Sequence, residues 1–305
     1  MRAALSKVLV NLAKKDSNVI LLTGDHGYSL FDDFRRECPS QYINAGVAEQ
    51  NMVGVASGLA RSGFRPIVYG LSAFIPIRVL EQIKLDVALD CLPIIFIGDG
   101  AGFVYSHLGT SHQSLEDIAC TRAIPNLSIY SPADRFELTQ CMELAYRENS
   151  AIYLRIGKSD RGDIHKSLSI IEPKKMLKVK KGVVNKYSFL ATGSMVRTAI
   201  DIAVESYPEA DVWSVPIIKP INYIQIEKIC RNSKAIVVFE EHSKYGGLGS
   251  LVAEISAEHS PTKILRIATN DCFSQKCGTY EYLLKEHGLD IETIQANIRS
   301  FLRNV

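Results

Sequence analysis

The sequence has no apolar run long enough to cross a membrane and no cluster of like charges. Its 35 basic and 33 acidic side chains leave a formal net charge of +2, and neither sign forms a long run. A membrane span needs about 20 consecutive apolar residues, and a nucleic-acid-binding surface needs concentrated basic charge. We therefore expect neither a membrane nor a nucleic-acid partner.

The sequence also has no paired-cysteine motif. Its seven cysteines are scattered, their number is odd, and none forms Cys-X-X-Cys. Disulfide-stapled domains and cysteine-based zinc sites show regular cysteine spacing. The apolar stretch at the start lacks the small-residue cleavage site of a secretion signal. These absences predict a cytoplasmic protein with reduced thiols whose chain starts with a helix.

Short apolar runs alternate with segments of helical period along the whole chain, and this alternation indicates parallel sheets covered by helices on both faces. The expected strands are Val19–Asp25, Gln41–Gly46, Arg65–Gly70, Leu92–Gly98, Leu127–Ser131, Ala151–Ile156, Tyr187–Thr192, Ala210–Val215, Ala235–Glu240 and Lys263–Ile267. The alternation is interrupted once, by a polar, lysine-rich stretch. The sequence therefore predicts an α/β fold of two doubly wound domains with mainly parallel sheets, residues 1–160 and 183–305, joined by a linker at 161–182.

Four loops that follow expected strands carry unusual side chains. They are GDHGYS (24–29), NAGVAEQN (44–51), GLSAF (70–74) and GDGAGFVYSHLGTSHQ (98–113). In parallel sheets of this kind, ligands bind beyond the carboxyl ends of the strands. We therefore expect the functional site where these loops meet.

Glu49 is expected in the first turn of a helix that is unusually rich in small residues. The favourable interaction with the helix dipole is the ordinary explanation for a glutamate there, but it does not explain the small residues that follow. They are Gly54, Ala56, Ser57, Gly58 and Ala60. Glycine in mid-helix costs ~1 kcal/mol relative to alanine, so two glycines predict that another backbone packs closely against this helix.

The segment GVAEQNMVGVASGLA resembles the signature of the pyrimidine-binding domain of transketolases, deoxyxylulose-phosphate synthases and the β subunits of 2-oxoacid dehydrogenases. The resemblance covers nearly the whole chain, because FEEHSKYGGLGSLVAEI (239–255) is similar to the C-terminal domain of transketolases. It implies that the two domains are these two, with thiamine diphosphate as the cofactor. It also implies that Glu49 shares a proton with N1′ of the aminopyrimidine ring and thereby activates the cofactor.

A second segment implies the pyrimidine pocket. GLSAF followed by RVLEQI resembles the family segment whose phenylalanine stacks on the pyrimidine ring, which implies this role for Phe74. Where transketolases have two further aromatic residues, this chain has Ile77 and Leu80, so we expect a more aliphatic cofactor pocket. Packing in the core is the alternative explanation for Phe74.

A third segment implies the substrate site. GTSHQSLEDIA resembles the transketolase segment whose histidine faces the reacting carbon and binds substrate hydroxyls, which implies a catalytic role for His112. A lone histidine is more often structural, and the family segment is what favours the catalytic interpretation. His26 and His107 lie on the same set of loops and are candidate substrate contacts.

The expected contacts to a substrate phosphate are less complete. Ser29 matches a family serine that touches phosphate, and Arg2 and Arg155 are candidates for the family's phosphate-binding arginines. The acidic residue that reads a sugar hydroxyl is replaced by Leu108, and a phosphate-binding histidine aligns with Gly100. These departures leave an altered sugar or another aldehyde open as the substrate.

The chain is not expected to hold a metal. In the family, Gly-Asp-Gly followed about 30 residues later by Asn-Asn binds the Mg²⁺ and the diphosphate. Gly98-Asp99-Gly100 with Asn126 is a weak match, because Asn126 precedes its strand and has no second asparagine beside it. The resemblance therefore implies a partner, an N-terminal transketolase-like subunit of ~270 residues that carries the GDG…NN motif and holds Mg²⁺. We expect an α2β2 heterotetramer.

The sequence thus predicts a subunit of a split, thiamine-diphosphate-dependent transketolase that transfers a two-carbon ketol unit between sugar-type substrates and is inactive alone. Two alternatives are the β subunit of a 2-oxoacid dehydrogenase and a non-catalytic assembly paralogue. The histidine loop of the dehydrogenases differs from GTSHQ, and the presence of both Glu49 and His112 disfavours a non-catalytic protein.

Overall fold

The computed structural model describes residues 1–158, 160–168, 172–184 and 186–303. The strands in these ranges are β1 (Val19–Thr23), β2 (Tyr42–Asn44), β3 (Arg65–Leu71), β4 (Ile95–Asp99), β5 (Leu127–Tyr130), β6 (Ala151–Ile156), β7 (Leu177–Lys180), β8 (Tyr187–Ala191), β9 (Ala210–Ser214), β10 (Ile217–Lys219), β11 (Ala235–Ser243) and β12 (Lys263–Thr269).

The α-helices are α1 (Arg2–Lys15), α2 (Asp32–Glu37), α3 (Glu49–Arg61), α4 (Leu80–Gln82), α5 (Asp117–Arg122), α6 (Arg135–Arg147), α7 (Met195–Glu205), α8 (Tyr223–Asn232), α9 (Leu248–His259), α10 (Tyr280–Glu286) and α11 (Ile291–Leu302). Short 3₁₀ turns lie at Pro39–Gln41, Ile77–Val79, Ser106–Leu108 and Thr110–His112, and α4 continues into a π-helical segment at Ile83–Ala88. No helix in the described ranges is long and apolar enough to cross a membrane.

The first sheet has the strand order β10-β5-β6-β4-β3-β1-β2, and all its strands are parallel except β10. Strands β1, β4 and β6 are buried at every position. Their near-continuous apolar sequences suit a parallel sheet whose two faces are both covered. Helices α1 and α6 pack together on one face, and α3 packs on the other.

The second sheet has the order β12-β11-β8-β9-β7 and is parallel except for β7. Apolar residues of α7, α10 and α11 cover one face, and those of α8 and α9 cover the other. We call this sheet with α7–α11 the second α/β unit, and the first sheet with α1–α6 the first α/β unit. The predicted α/β class with two mainly parallel sheets is confirmed.

Two strands were not expected from the sequence. Strand β7 lies inside the stretch expected to be a linker and pairs antiparallel with β9, at the edge of the second sheet. Strand β10 comes from the second half of the chain but pairs antiparallel with β5, at the edge of the first sheet. The two α/β units therefore share backbone pairing across the stretch from 157 to 182.

Candidate active site

The four loops singled out in the sequence leave the first sheet at one edge. They follow β1, β2, β3 and β4, and these four strands are neighbours in the order β4-β3-β1-β2. In the sheet register, Thr23 lies opposite both Asn44 and Tyr69, and Gly70 lies opposite Gly98. The loops therefore start at the same level and converge, as expected from the parallel order.

Asn44 fixes the loops that follow β1 and β2. Its side-chain oxygen accepts hydrogen bonds from the backbone N–H groups of Asp25 (3.1 Å) and Gly46 (3.0 Å). Asp25 has a φ of 59°, a left-handed conformation that is uncommon for a residue with a side chain. This bonding orients the chain into α3, so that Glu49 begins the helix with its side chain only 3% exposed.

The carboxylate of Glu49 is only half satisfied within the chain. Its Oε2 accepts a hydrogen bond from Nη1 of Arg78 at 3.0 Å. Its Oε1 is buried and has no hydrogen-bond partner among the described residues. A buried acceptor without a donor costs about 1–3 kcal/mol, so this atom suits a donor that comes from outside the chain.

The ring of Phe74 is the centre of the site. The Arg78 guanidinium carbon lies 4.1 Å from the ring centroid, which is a close cation–π contact. The rings of His112 and His26 lie 5.3 Å and 6.1 Å from it, centroid to centroid. The structure therefore brings together the predicted residues Glu49, Phe74, His26 and His112.

His26 is held in its neutral form. Burial is the main cause that lowers its pKa, and the positive charges of Arg78 and His112 act in the same direction. The carboxylates of Glu49 and Asp25 oppose this shift without reversing it. Its Nδ1 is buried and lacks a hydrogen-bond partner in the described part of the chain. The imidazole can therefore serve an incoming polar group at neutral pH.

Arg78 is the site residue that sequence reasoning missed. It bridges Glu49 and Phe74, and its backbone N–H donates to the carbonyl of Phe74 at 3.0 Å. The signal was available, because residues four apart in a helical turn lie on the same side and the segment had a helical period. The other predicted pocket residues, Ile77 and Leu80, are half-buried, and Leu80 packs against the core beneath α3.

The candidate phosphate contacts are dispersed. Arg155 lies inside the chain, 4% exposed, where its Nε is 2.7 Å from the fully buried carboxylate of Asp117. This ion pair commits the guanidinium and corrects the expectation that Arg155 meets a substrate phosphate. Arg2 is half-exposed, with Nε 3.4 Å from Asp99. Ser29 and His107 are exposed on their loops.

Comparison with known proteins matches this chain over both α/β units. The family model "Transketolase, pyrimidine binding domain" matches residues 1–162, and "Transketolase, C-terminal domain" matches residues 178–294. A protein described as a putative transketolase C-terminal section, from Methanocaldococcus jannaschii, is 34% identical over 98% of this chain and 95% of its own length. The chain belongs to the transketolase family.

Two further matches extend over nearly full lengths. One of the subunits of the apulose-4-phosphate transketolase of Phocaeicola vulgatus is 29% identical and is matched over 97% of its length by 99% of this transketolase-family chain. A solved structure described as a split gene transketolase, inactive beta4 tetramer, superposes with a TM-score of 0.89 at 31% identity. It covers 99% of this chain and 98% of its own. The family resemblance inferred from the sequence is confirmed.

The weak match to a transketolase metal motif has other roles in the structure. Asp99 accepts a hydrogen bond from the Tyr69 hydroxyl at 2.6 Å and faces Arg2, while the Asn126 side chain donates to the carbonyl of Ala88 at 3.1 Å. Within the described ranges, no group of three or more histidine, cysteine or acidic side chains is arranged to hold a metal ion.

The glycines of α3 face away from the rest of this transketolase-family chain. Gly54 and Gly58 are exposed, and a Cβ atom added to either would have no described atom within 4 Å. The expectation that another backbone packs against them is therefore not met by the chain's own described residues. Val55 and Val47 are exposed beside them, at 38% and 75%, so this face of the helix is open.

Proposed function

We propose that this chain is one subunit of a split, thiamine-diphosphate-dependent transketolase that transfers a two-carbon ketol unit between sugar-type substrates. The observation that carries the proposal is the carboxylate of Glu49, which is buried at the end of the first sheet with one oxygen lacking a donor. The relatives, described as a transketolase C-terminal section and as a subunit of an apulose-4-phosphate transketolase, support the same class of reaction.

The residues present fit the aminopyrimidine part of the cofactor. Phe74 offers a flat aromatic face, Ile77 and Leu80 offer apolar walls, and Oε1 of Glu49 offers a buried acceptor. Thiamine diphosphate, when bound, supplies the nucleophilic carbon that carries the ketol unit. Glu49 shares a proton with N1′ of the ring, and Arg78 on Oε2 holds the carboxylate in place and leaves Oε1 free for this task.

The substrate site is built by the histidines around Phe74. In this proposal His112 contacts the hydroxyls of the donor, and neutral His26 offers its unpartnered Nδ1 to substrate. His107 and Ser29 are exposed and contact the outer part of the sugar. Arg155 has no part in the substrate site, because its guanidinium is committed to an internal ion pair. The exposed Leu108, at 47%, replaces an acidic sugar contact and favours an altered sugar substrate.

The other half of the cofactor site comes from a partner. We propose an N-terminal transketolase-like subunit with the GDG…NN motif that holds Mg²⁺ and the diphosphate, in an α2β2 heterotetramer. The solved structure of an inactive tetramer made only of the β subunit of a split transketolase supports this division. The division of this chain into domains 1–160 and 183–305, and a cytoplasmic location suggested by its free cysteines, belong to the same proposal.

The Glu49→Gln variant tests the proposal directly. The amide keeps the volume and a hydrogen bond but removes the negative charge, so it cannot share the N1′ proton. In the complex with the partner, we expect hydrogen exchange at C2 of the bound cofactor to slow by about 10²–10⁴-fold, with folding and partner binding unchanged. Exchange of this proton is measured by acid quench and NMR.

Glu292→Gln is the matched control, because Glu292 also lies in the first turn of a helix but is exposed on α11. It should leave the exchange rate unchanged. An exchange rate in Glu49→Gln equal to that of the unaltered complex would reduce Glu49 to a helix-start carboxylate and remove the basis of the proposed function.

A further inference from the structure

We propose that the second α/β unit positions the loop that carries His112, through Phe103 and Glu241. This inference rests on the proposed function only for the role of His112. It assigns the second unit a task within the active site, besides any contribution to assembly.

The His112 loop is closed at its base and then leaves the first sheet. It follows β4, and Gly102 and Ser114 form an antiparallel bridge with backbone hydrogen bonds of 2.8 Å and 3.1 Å. Between these two residues the chain forms only two short 3₁₀ turns, Ser106–Leu108 and Thr110–His112. Much of this stretch is exposed, so the loop has little core of its own.

Phe103 anchors the first end of the loop in the second unit. Its side chain is fully buried and belongs to the apolar core formed by α7, β8, β11 and α10. Its ring lies 4.8 Å from the ring of His287, centroid to centroid. A residue of the first unit's loop thus fills a place in the second unit's core.

Glu241 holds the backbone at the same point. It lies on β11 with 2% exposure, and its Oε1 accepts the N–H of Phe103 at 2.6 Å. Its Oε2 accepts hydrogen bonds from the hydroxyls of Ser194 and Tyr280. Gly102 has a φ of 73°, and a Cβ atom there would collide with the Glu241 carboxylate. The loop backbone is therefore pressed against a carboxylate that the second unit fixes in place.

The other end of the loop is held by the second unit as well. The Ser274 hydroxyl donates to the side-chain oxygen of Gln113 at 2.8 Å and lies 2.9 Å from Nε2 of His287. The backbone N–H of Ser243 donates to the carbonyl of Leu115 at 2.7 Å. Both ends of the loop are thus bonded to the second unit, with His112 between them. A loop without its own core takes its position from such anchors.

Hydrogen–deuterium exchange of the full chain, read by mass spectrometry, tests the anchoring without substrate or cofactor. Glu241→Ala removes the acceptor of the Phe103 N–H, and a hydrogen bond to a charged group typically limits opening by about tenfold to a hundredfold. We expect exchange across residues 102–116 to rise by this factor. Glu241→Gln keeps an acceptor for Phe103 and should raise it clearly less.

Glu240→Ala is the matched control. Glu240 is the preceding residue of β11 and is equally buried, but it accepts from the N–H groups of Leu248 and Gly249 at the start of α9, not from the loop. It should raise exchange at the start of α9 and leave 102–116 unchanged. Unchanged loop exchange in Glu241→Ala, or a rise spread evenly over the second sheet, would overturn the inference.

Two further measurements complete the test. If Glu241→Ala does not fold, Phe103→Leu and Glu241→Gln are measured in the same way, and loop exchange equal to that of the unaltered chain in both would overturn the inference. In the complex with the partner, Glu241→Ala should raise the KM of the ketose that the complex turns over fastest, with the Kd of thiamine diphosphate unchanged. A raised KM in His112→Ala but not in Glu241→Ala refutes only the anchoring. No rise in His112→Ala refutes the assigned role of His112 in the proposed function.

Discussion

Glu49 combines two requirements that are hard to meet together, since it is a buried acid and one of its oxygens must stay open to a ligand. Arg78 reconciles them, because it binds only Oε2 and rests on the face of Phe74. Arg78 is itself 46% exposed, so solvent screens the pair and its contribution to stability is modest. The pair therefore serves to orient the carboxylate more than to stabilise the fold.

The strength of the Glu49–Arg78 pair is measurable. Arg78→Met should lower the free energy of unfolding by about 1 kcal/mol, and Arg78→Lys by less, because lysine keeps the charge but loses the planar stacking on Phe74. A double-mutant cycle with Glu49→Gln, followed by urea unfolding, should give a coupling of about 0.5–1 kcal/mol. Additive effects of the two substitutions would show that the two side chains do not interact in solution.

The contact of His112 with Phe74 predicts a substrate role separate from cofactor binding. His112→Ala should lower kcat and raise the KM of the donor, because it removes a polar group at the reacting end of the sugar. Thiamine diphosphate affinity, measured by calorimetry in the complex, should stay nearly unchanged, since Glu49 and Phe74 are intact. A large loss of cofactor affinity would instead place His112 among the cofactor contacts.

The sequence could predict which loops carry the site but not every partner within it. Glu49, Phe74 and His112 follow neighbouring strands, and the parallel order brings such loops together. The burial of Arg155 depends on Asp117, which comes from α5 and lies 38 residues away in the chain. Long-range pairs of this kind leave no local pattern, and a single sequence does not reveal them.

At the scale of elements, the ten expected strands all appear, since each has a local apolar pattern that the sequence shows directly. The two unexpected strands are edge strands with little such pattern. Strand β7 has the sequence LKVK and lies at the edge of the second sheet. Strand β10 has only three residues, between Pro216 and Pro220, and its partner β5 lies far back in the chain. Pairing at a sheet edge is decided by tertiary contacts, so composition alone did not reveal them.

Lys219 on β10 ties the two halves of the chain together. Its Nζ donates to the carbonyls of Arg122 (2.8 Å) and Ile124. Lys219→Met should leave both acceptors without this donor and lower the free energy of unfolding by about 1–3 kcal/mol in urea titrations.

Lys180→Met is the control, because the Nζ of Lys180 also donates to two carbonyls, those of Pro208 and Ala210, but at a more exposed edge of the second sheet. Water can replace a lysine donor there, so the loss should be smaller. Equal losses in the two variants would contradict the view that β10 is a structural connection between the units.

At the scale of the whole molecule, the family and the architecture were predictable because their motifs are contiguous in the chain. The open face of α3 was predictable only in part. The sequence indicated that something packs against the small residues, and the described residues of this chain leave Gly54 and Gly58 uncovered. The partner of that face lies outside the chain, and we assign it to the interface of the proposed heterotetramer.

This assignment predicts opposite effects on folding and on assembly from one substitution. Gly58→Leu meets no described atom within 4 Å, and leucine is a better helix former than glycine by roughly 0.5–1 kcal/mol. The isolated chain should therefore be at least as stable, by urea unfolding at low protein concentration. The added side chain should obstruct a close-packed interface, so we expect partner binding to weaken at least tenfold in sedimentation velocity experiments, with loss of activity in the mixture.

The control is Ala296→Leu, which adds a similar side chain to an exposed position of α11, on the second unit. It should leave both stability and assembly nearly unchanged. If Gly58→Leu assembles with the partner as tightly as the unaltered chain, α3 does not lie in the interface. If Gly58→Leu instead destabilises the isolated chain at concentrations where that chain is a monomer, the glycine is needed by the fold itself, and the small residues of α3 require an explanation within this chain.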